Sequence, residues 1–267
     1  MDVSRKRLIG VVFVFLGAGF WGVGGTAADF LFSNENINVN WYVSTRLVIS
    51  GLLLLAIQRF LKRKESIFAI WKNREMRWSL IIFSLVGMLL VQYSYMASIE
   101  MGNAAVATLL QYLAPVYIIL WLLFRKQAKL TMGDVIAVFL TVVGTWLLLT
   151  NGSFQGLSVP VPAVVWGIVS GLSLAFYTLY ATRLLARYSS LIVVGWAMLI
   201  AGICMNFIHP IWSVSVADWT MTTVLVLLFT IVFGTAIAFW FFYRIASISA
   251  CERNDFNWNS RATGCCD

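Results

Sequence analysis

Long apolar runs alternate with short polar connectors along this chain. Residues 78–99 (WSLIIFSLVGMLLVQYSYMASI) carry no formal charge, and residues 104–124 (AAVATLLQYLAPVYIILWLLF) are again uncharged. A helix of about 20 residues is about 30 Å long, which matches the hydrocarbon core of a bilayer, so each run predicts one membrane-crossing helix. Only Glu100-Met101-Gly102-Asn103 joins the two, and that predicts a tight helical hairpin turning at the water interface. Pro115 falls inside the second run. It lacks an amide donor and crowds the carbonyl four residues back, so a kink enclosed by neighbouring helices is expected there.

The same pattern marks residues 8–28, 41–60, 130–150, 163–182, 191–208 and 221–243. The expected fold is therefore an all-α polytopic membrane protein with eight transmembrane helices. The N-terminal MDVSRKRLIG resembles the charged start of a signal peptide, but the run behind it is too long for one and reads as a retained first span.

Composition supports the membrane reading. Hydrophobic residues make up 61% of the chain and charged residues 11%, against about 25% charged in ordinary soluble domains. A net charge of +8 would suggest a nucleic-acid partner in a soluble protein. Here, numbering the connectors alternately puts 18 of the 19 Lys and Arg on one side of the membrane. The other side carries Asp29, Glu35, Glu100 and Asp218. By the positive-inside rule the basic side is cytoplasmic. Both termini are then expected in the cytoplasm, with no nucleic acid involved.

An internal echo suggests duplication. Phe20-Trp21-Gly22 returns as Val165-Trp166-Gly167, and Ala97-Ser98-Ile99 returns as Ala246-Ser247-Ile248. The copies are an odd number of spans apart, so they point in opposite directions, as in the inverted repeats of secondary transporters. Residues 1–150 are read as a first five-helix unit, 151–162 as an outside connector and 163–250 as a second unit holding three helices. Residues 251–267 (CERNDFNWNSRATGCCD) are polar and read as a tail outside the repeat.

These features resemble the EamA-type permeases of the drug/metabolite transporter superfamily, bacterial inner-membrane proteins. The resemblance rests on Phe20-Trp21-Gly22, Arg46, the Ala-Ser-Ile end of the third span, Leu113-Ala114-Pro115-Val116 and Trp166-Gly167. It implies ten helices in two inverted five-helix repeats around a central substrate cavity, in the bacterial cytoplasmic membrane. It also implies alternating-access export of small organic metabolites, amino acids or drugs. This chain departs from the pattern after Ala250, so the competing expectation is a transport-defective fragment, or a membrane subunit completed by a homo-oligomer or another chain.

Candidate site residues follow from where polar and aromatic groups fall inside apolar runs. Arg46 lies within the second span, where a guanidinium is costly unless paired or hydrated. It reads either as a substrate-carboxylate contact or gate residue, or as a side chain snorkelling to headgroups. Trp21, Gly22, Tyr95, Gln111, Tyr112, Trp166 and Tyr177 are expected to line the cavity, offering apolar faces with hydrogen-bonding edges. Gln111 and Thr108 lie one turn apart on one face. The glycine-rich GAGFWGVGG of the first span lacks the Lys-Ser/Thr of a phosphate loop and reads as helix packing. No clustering of His, Asp, Glu or Cys predicts a metal, a cofactor or an enzyme active site.

Overall fold

The computed structural model describes residues 3–61, 66–127, 131–150, 152, 158–213 and 219–238. These form α1 (Val3–Ser33), α2 (Val39–Leu61), α3 (Arg74–Met101) and α4 (Ala104–Phe124), then α5 (Met132–Thr150), α6 (Val161–Leu185), α7 (Ser190–Ile208) and α8 (Met221–Ile231). A single turn, Ala69–Lys72, precedes α3. A π-helical stretch, Val232–Ile237, prolongs α8. There is no strand among the described residues. Among the described residues six helices, α2 to α7, are long and apolar enough to cross a membrane, and Met221–Thr235 is a shorter apolar helix. The expected end of the eighth span, the second Ala-Ser-Ile and the polar tail lie outside the described residues.

Local chemistry places the helix ends. The α3 helix begins before the uncharged run does, because the Asn73 side chain accepts from the amides of Glu75 and Met76. Glu75 then sits in the first turn, where the helix dipole favours a carboxylate. Asn103 caps α4 in the same way through the Val106 amide, so the hairpin between α3 and α4 is as tight as its sequence requires. At the start of α5, Asp134 accepts from the Thr131 amide while the Thr131 hydroxyl oxygen accepts from the Asp134 amide.

The helices run antiparallel, and their contacts sort the charges. At one end Asp29 accepts from the Ala104 amide, Thr223 donates to Glu35, and the Trp41 indole donates to the Ile211 carbonyl. At the other end Arg183 pairs with Glu75, and the Trp196 indole donates to the Ile67 carbonyl against Phe68 and Trp71. Arg59, Lys72, Arg74, Arg77, Arg125, Lys126 and Arg187 belong to this second, basic end.

Between the ends, α2 and α7 form the most intimate pair. A methyl group added at Gly51 would stand 2.8 Å from the Leu199 amide nitrogen, and one at Gly202 would stand 2.7 Å from that of Val48. The two backbones touch, which in lipid is how helices gain packing energy. Tyr42, Leu47, Leu54, Phe83, Met88 and Met198 close the main core around this pair. By contrast α5 has only 6% of its most apolar window buried, against 56% for α2 and α7, so it lies at the lipid-facing rim.

Because backbone rather than side-chain atoms meet at Gly51, the neighbour has no rotamer with which to yield. Gly51→Ala and Gly202→Ala should each cost about 1–3 kcal/mol in unfolding measured in detergent. Gly144→Ala on α5, where an added methyl meets nothing within 4 Å, is the control and should cost nothing.

Candidate substrate cavity

Two helix faces of small residues meet and leave a void. On α1, Ala18, Gly22 and Thr26 recur at one face. On α4, Ala104, Ala105 and Thr108 do the same. The space between them holds two adjoining hollows, a largely open one walled by α1 and α4 and a more enclosed one that also reaches Tyr95 of α3 and Leu174 of α6. These lobes hold about 280 and about 100 Å³ and share Gly22, Thr108 and Tyr112. Trp21, Gly22, Tyr95, Gln111 and Tyr112 are all on the wall of the second. No Asp, Glu, Lys or Arg lines either lobe.

A connected set of hydrogen bonds fixes the polar wall. The Thr108 hydroxyl donates to the Ala104 carbonyl at 2.6 Å, so the proton in its 2.9 Å contact with Tyr95 comes from the phenol. Gly25 gives that phenol its seat, since a methyl there would fall 2.8 Å from the Tyr95 oxygen. Gln111 donates through Nε2 to the Ser170 hydroxyl at 2.8 Å and is thereby tied to α6. Tyr112 is 61% exposed and stands at the mouth. The wall is aromatic and hydroxylated, and formally neutral.

The α4 turn positions half of this wall. The helix stops at Gln111, turns through Tyr112 and Leu113, and restarts at Ala114 with Pro115 in its first turn. The Leu113 amide turns back to the Leu110 carbonyl at 3.2 Å. Pro115 itself faces outward, while the carbonyls of Leu110 and Gln111 lie over Gly171 of α6, 2.8 and 3.6 Å from where its Cβ would be. Gly167 admits Leu110 one turn earlier. The irregularity expected at Pro115 is thus a tight turn at Tyr112 and Leu113, both still in the right-handed helical region, covered by a Gly-x-x-x-Gly face of α6.

The EamA-like transporter family matches residues 8–150 and 161–250. This chain belongs to that family. It is 33% identical over 250 residues to an uncharacterized inner membrane transporter, YicL, of Salmonella typhimurium, across 93% of this chain and 81% of the relative. A solved crystal structure has the same fold, with a TM-score of 0.62 over 99% of this chain and 92% of its own, at 18% identity. The protein is a membrane transporter.

Three of the residues singled out in the sequence are not on the wall of this void. Arg46 is 6% exposed and does not reach a headgroup. Its Nε donates to Thr235 at 2.6 Å, Nη1 approaches the Met96 sulfur at 3.7 Å, and the guanidinium lies 5.8 Å from the centre of the Tyr42 ring. Among the described residues no carboxylate pairs with it. Trp166 packs edge-on against Tyr93 at 5.4 Å, and Tyr177 lies over Phe83 at 4.8 Å. Both contact α3, whereas Gly167, Ser170 and Gly171 contact α4 and Leu174 lines the void. Trp166, Ser170 and Tyr177 share one side of α6, so the neighbour each meets depends on its depth along the helix as well as on the helix rotation.

Sequence reasoning missed the partners and found the anchors. Ser170 and Thr235 carried no signal of their own. The Gly167–Gly171 spacing did carry one, as a small-x-x-x-small face. Two π-helical stretches, Phe83–Leu89 in α3 and Val232–Ile237 after α8, had no sequence mark. At the second, the Thr235 hydroxyl donates to the Thr230 carbonyl five residues back, and Ser50 of α2 donates to the Ile231 carbonyl. Arg46 and Ser50, one turn apart on α2, therefore both serve the widened turn.

Gly171→Ala should destabilise the chain by about 1–3 kcal/mol, since the added methyl meets a backbone carbonyl held by the α4 turn. Gly22→Ala should leave stability unchanged, because nothing lies within 4 Å of its added methyl. Thermal unfolding of the two variants in detergent, side by side, checks both expectations.

Proposed function

We propose that this chain is a secondary transporter exporting small organic molecules by alternating access between two inverted halves, 1–150 and 163–250. The observation that carries the reading is the neutral aromatic cavity among α1, α3, α4 and α6. Such a wall suits an amphipathic solute with a flat apolar body and a hydrogen-bonding edge, a class that includes amino acids, metabolites and drugs. The relative's description as an inner membrane transporter agrees with that location.

The inverted repeat has independent support. The π-helical stretches begin at Phe83 and Val232, 149 positions apart, the same separation as Ala97 and Ala246 in the sequence echo. Each stretch leans through a glycine on the first helix of the other half. Gly87 of α3 lies 3.7 Å from the Tyr177 Cα of α6 when given a methyl, and Gly234 lies 3.2 Å from the Gly24 Cα of α1. Eight spans with a cytoplasmic basic end complete the reading. Reporter fusions after Glu35 and Gly102 should then report outside, and fusions after Lys126 and Arg187 inside. A cytoplasmic signal at Gly102 would overturn the orientation.

Arg46 acts in this reading as a gate residue that holds α2 to the widened turn of α8. Flux of a panel of aromatic and aliphatic amino acids and planar cationic drugs, measured in inverted vesicles, tests the cavity and the gate together. Gly22→Leu should accumulate normally and lose transport at least tenfold, because its side chain fills the shared lobe. Arg46→Ala should also lose transport, and Arg46→Lys should regain only part of it, since an ammonium cannot reproduce the planar fork at Thr235. Parental flux in Gly22→Leu would remove the cavity from the transport path.

A further inference from the structure

Of the polar contacts that cross between the halves, two join a first helix of one half to a third helix of the other at opposite ends of the bundle. At the basic end Arg183, two residues before the end of α6, pairs with Glu75, the second residue of α3. At the other end Thr223, the third residue of α8, donates to Glu35 at 2.7 Å, two residues beyond the end of α1. Thr220 donates in turn to the Thr223 oxygen at 2.7 Å, which fixes the hydroxyl toward the carboxylate. Each tie joins the start of a third helix in one half to the end of a first helix in the other. The α3–α6 and α8–α1 contacts are thus the same contact used twice, once at each end.

Their mechanical settings match as well. Midway along each contact a π-helical stretch is seated by glycine, Gly87 beside Tyr177 in one and Gly234 against Gly24 in the other. A π turn places its hydrogen bonds one residue out of α register and is a common point of functional bending. At the far end of the α3–α6 contact Ser98 donates to the Ala163 carbonyl at 2.8 Å, so breaking the Glu75–Arg183 pair frees only the basic end, which opens by splaying about the middle. Glu75 and Arg183 are 57% and 51% exposed in their side chains. An exposed pair of this kind adds little to stability, which suits a link that breaks and re-forms in every cycle.

We propose that Glu75–Arg183 and Glu35–Thr223 are the two gate ties of the transport cycle, broken alternately, with the glycine-seated π turns as pivots. Breaking the first opens the cavity toward the basic end, and breaking the second opens it toward the acidic end. The proposal rests on the alternating-access reading. None of the four residues lines the cavity, so the ties control which side reaches the solute without contacting it.

The test uses the full chain with its four native cysteines replaced by serine and a single reporter, Gly22→Cys, on the shared lobe. A membrane-impermeant maleimide is applied to right-side-out and to inverted vesicles, and the ratio of the two labelling rates is read. Glu75→Gln and, separately, Arg183→Gln should shift the ratio toward the cytoplasmic side by about two- to fivefold, the scale of one exposed ion pair. Thr223→Val should shift it the opposite way. The charge exchange Glu75→Arg with Arg183→Glu should restore the parental ratio. A reporter reached from both sides at a ratio indifferent to these substitutions, or shifted the same way by Glu75→Gln and Thr223→Val, overturns the ties and leaves the transport reading standing. A reporter reached from one side only in every variant overturns alternating access and the ties with it.

Discussion

Inside a bilayer no water stands ready to satisfy a carbonyl that a broken helix releases, so every break must be closed by protein. Among the described residues the helical register is disturbed at three points, by a turn in α4 before Pro115 and by π turns in α3 over Phe83–Leu89 and after α8 over Val232–Ile237. Each is met by a surface that can come close enough to matter. The α4 turn lies over Gly167 and Gly171, and the α3 turn stands beside the α6 backbone at Tyr177. The third turn takes a hydroxyl from Thr235, a hydroxyl from Ser50 and the Nε of Arg46 to that same Thr235. Much of the helix packing can be read as the set of contacts these three turns require.

Rigid and yielding parts are then distributed by the same logic. Where α2 meets α7 through Gly51 and Gly202 the backbones are in contact along unbroken helices, and nothing there has a second arrangement to adopt. The irregular turns fall instead on α3, α4 and the end of α8. The first two carry cavity wall, and the third is held from α2 by Arg46 and Ser50. A buried guanidinium that meets no carboxylate among the described residues, as at Arg46, is costly. That cost is offset by Thr235, the Met96 sulfur and the Tyr42 ring, all groups that bind it without cancelling its charge.

The cavity is the product of small residues as much as of aromatic ones. Ala18, Gly22, Ala104 and Ala105 leave the space, and Tyr95, Thr108 and Gln111 give it hydrogen-bonding edges. Gly25 performs a quieter task by seating the Tyr95 phenol, so that the Thr108 hydroxyl receives a proton from a ring with one available position. Substituting the aromatic residues alone would leave the void itself in place.

Several features were determined by the sequence alone. Apolar runs matched to the bilayer set the helices, because burial in lipid demands length and low charge and little else. The sorting of Lys and Arg set their alternation, and Asn73 and Asn103 set two of their starts. Trp21, Gly22, Tyr95, Gln111 and Tyr112, singled out from uncharged runs, lie together on the wall of one void. Tertiary structure alone decided that Trp166 and Tyr177 turn to α3 instead, and that Arg46 ends on Thr235. Those outcomes depend on where along its length, and at what rotation about its axis, one helix meets another. That placement is fixed by which glycines meet which backbones, a relation between distant segments that hydropathy along one segment does not contain.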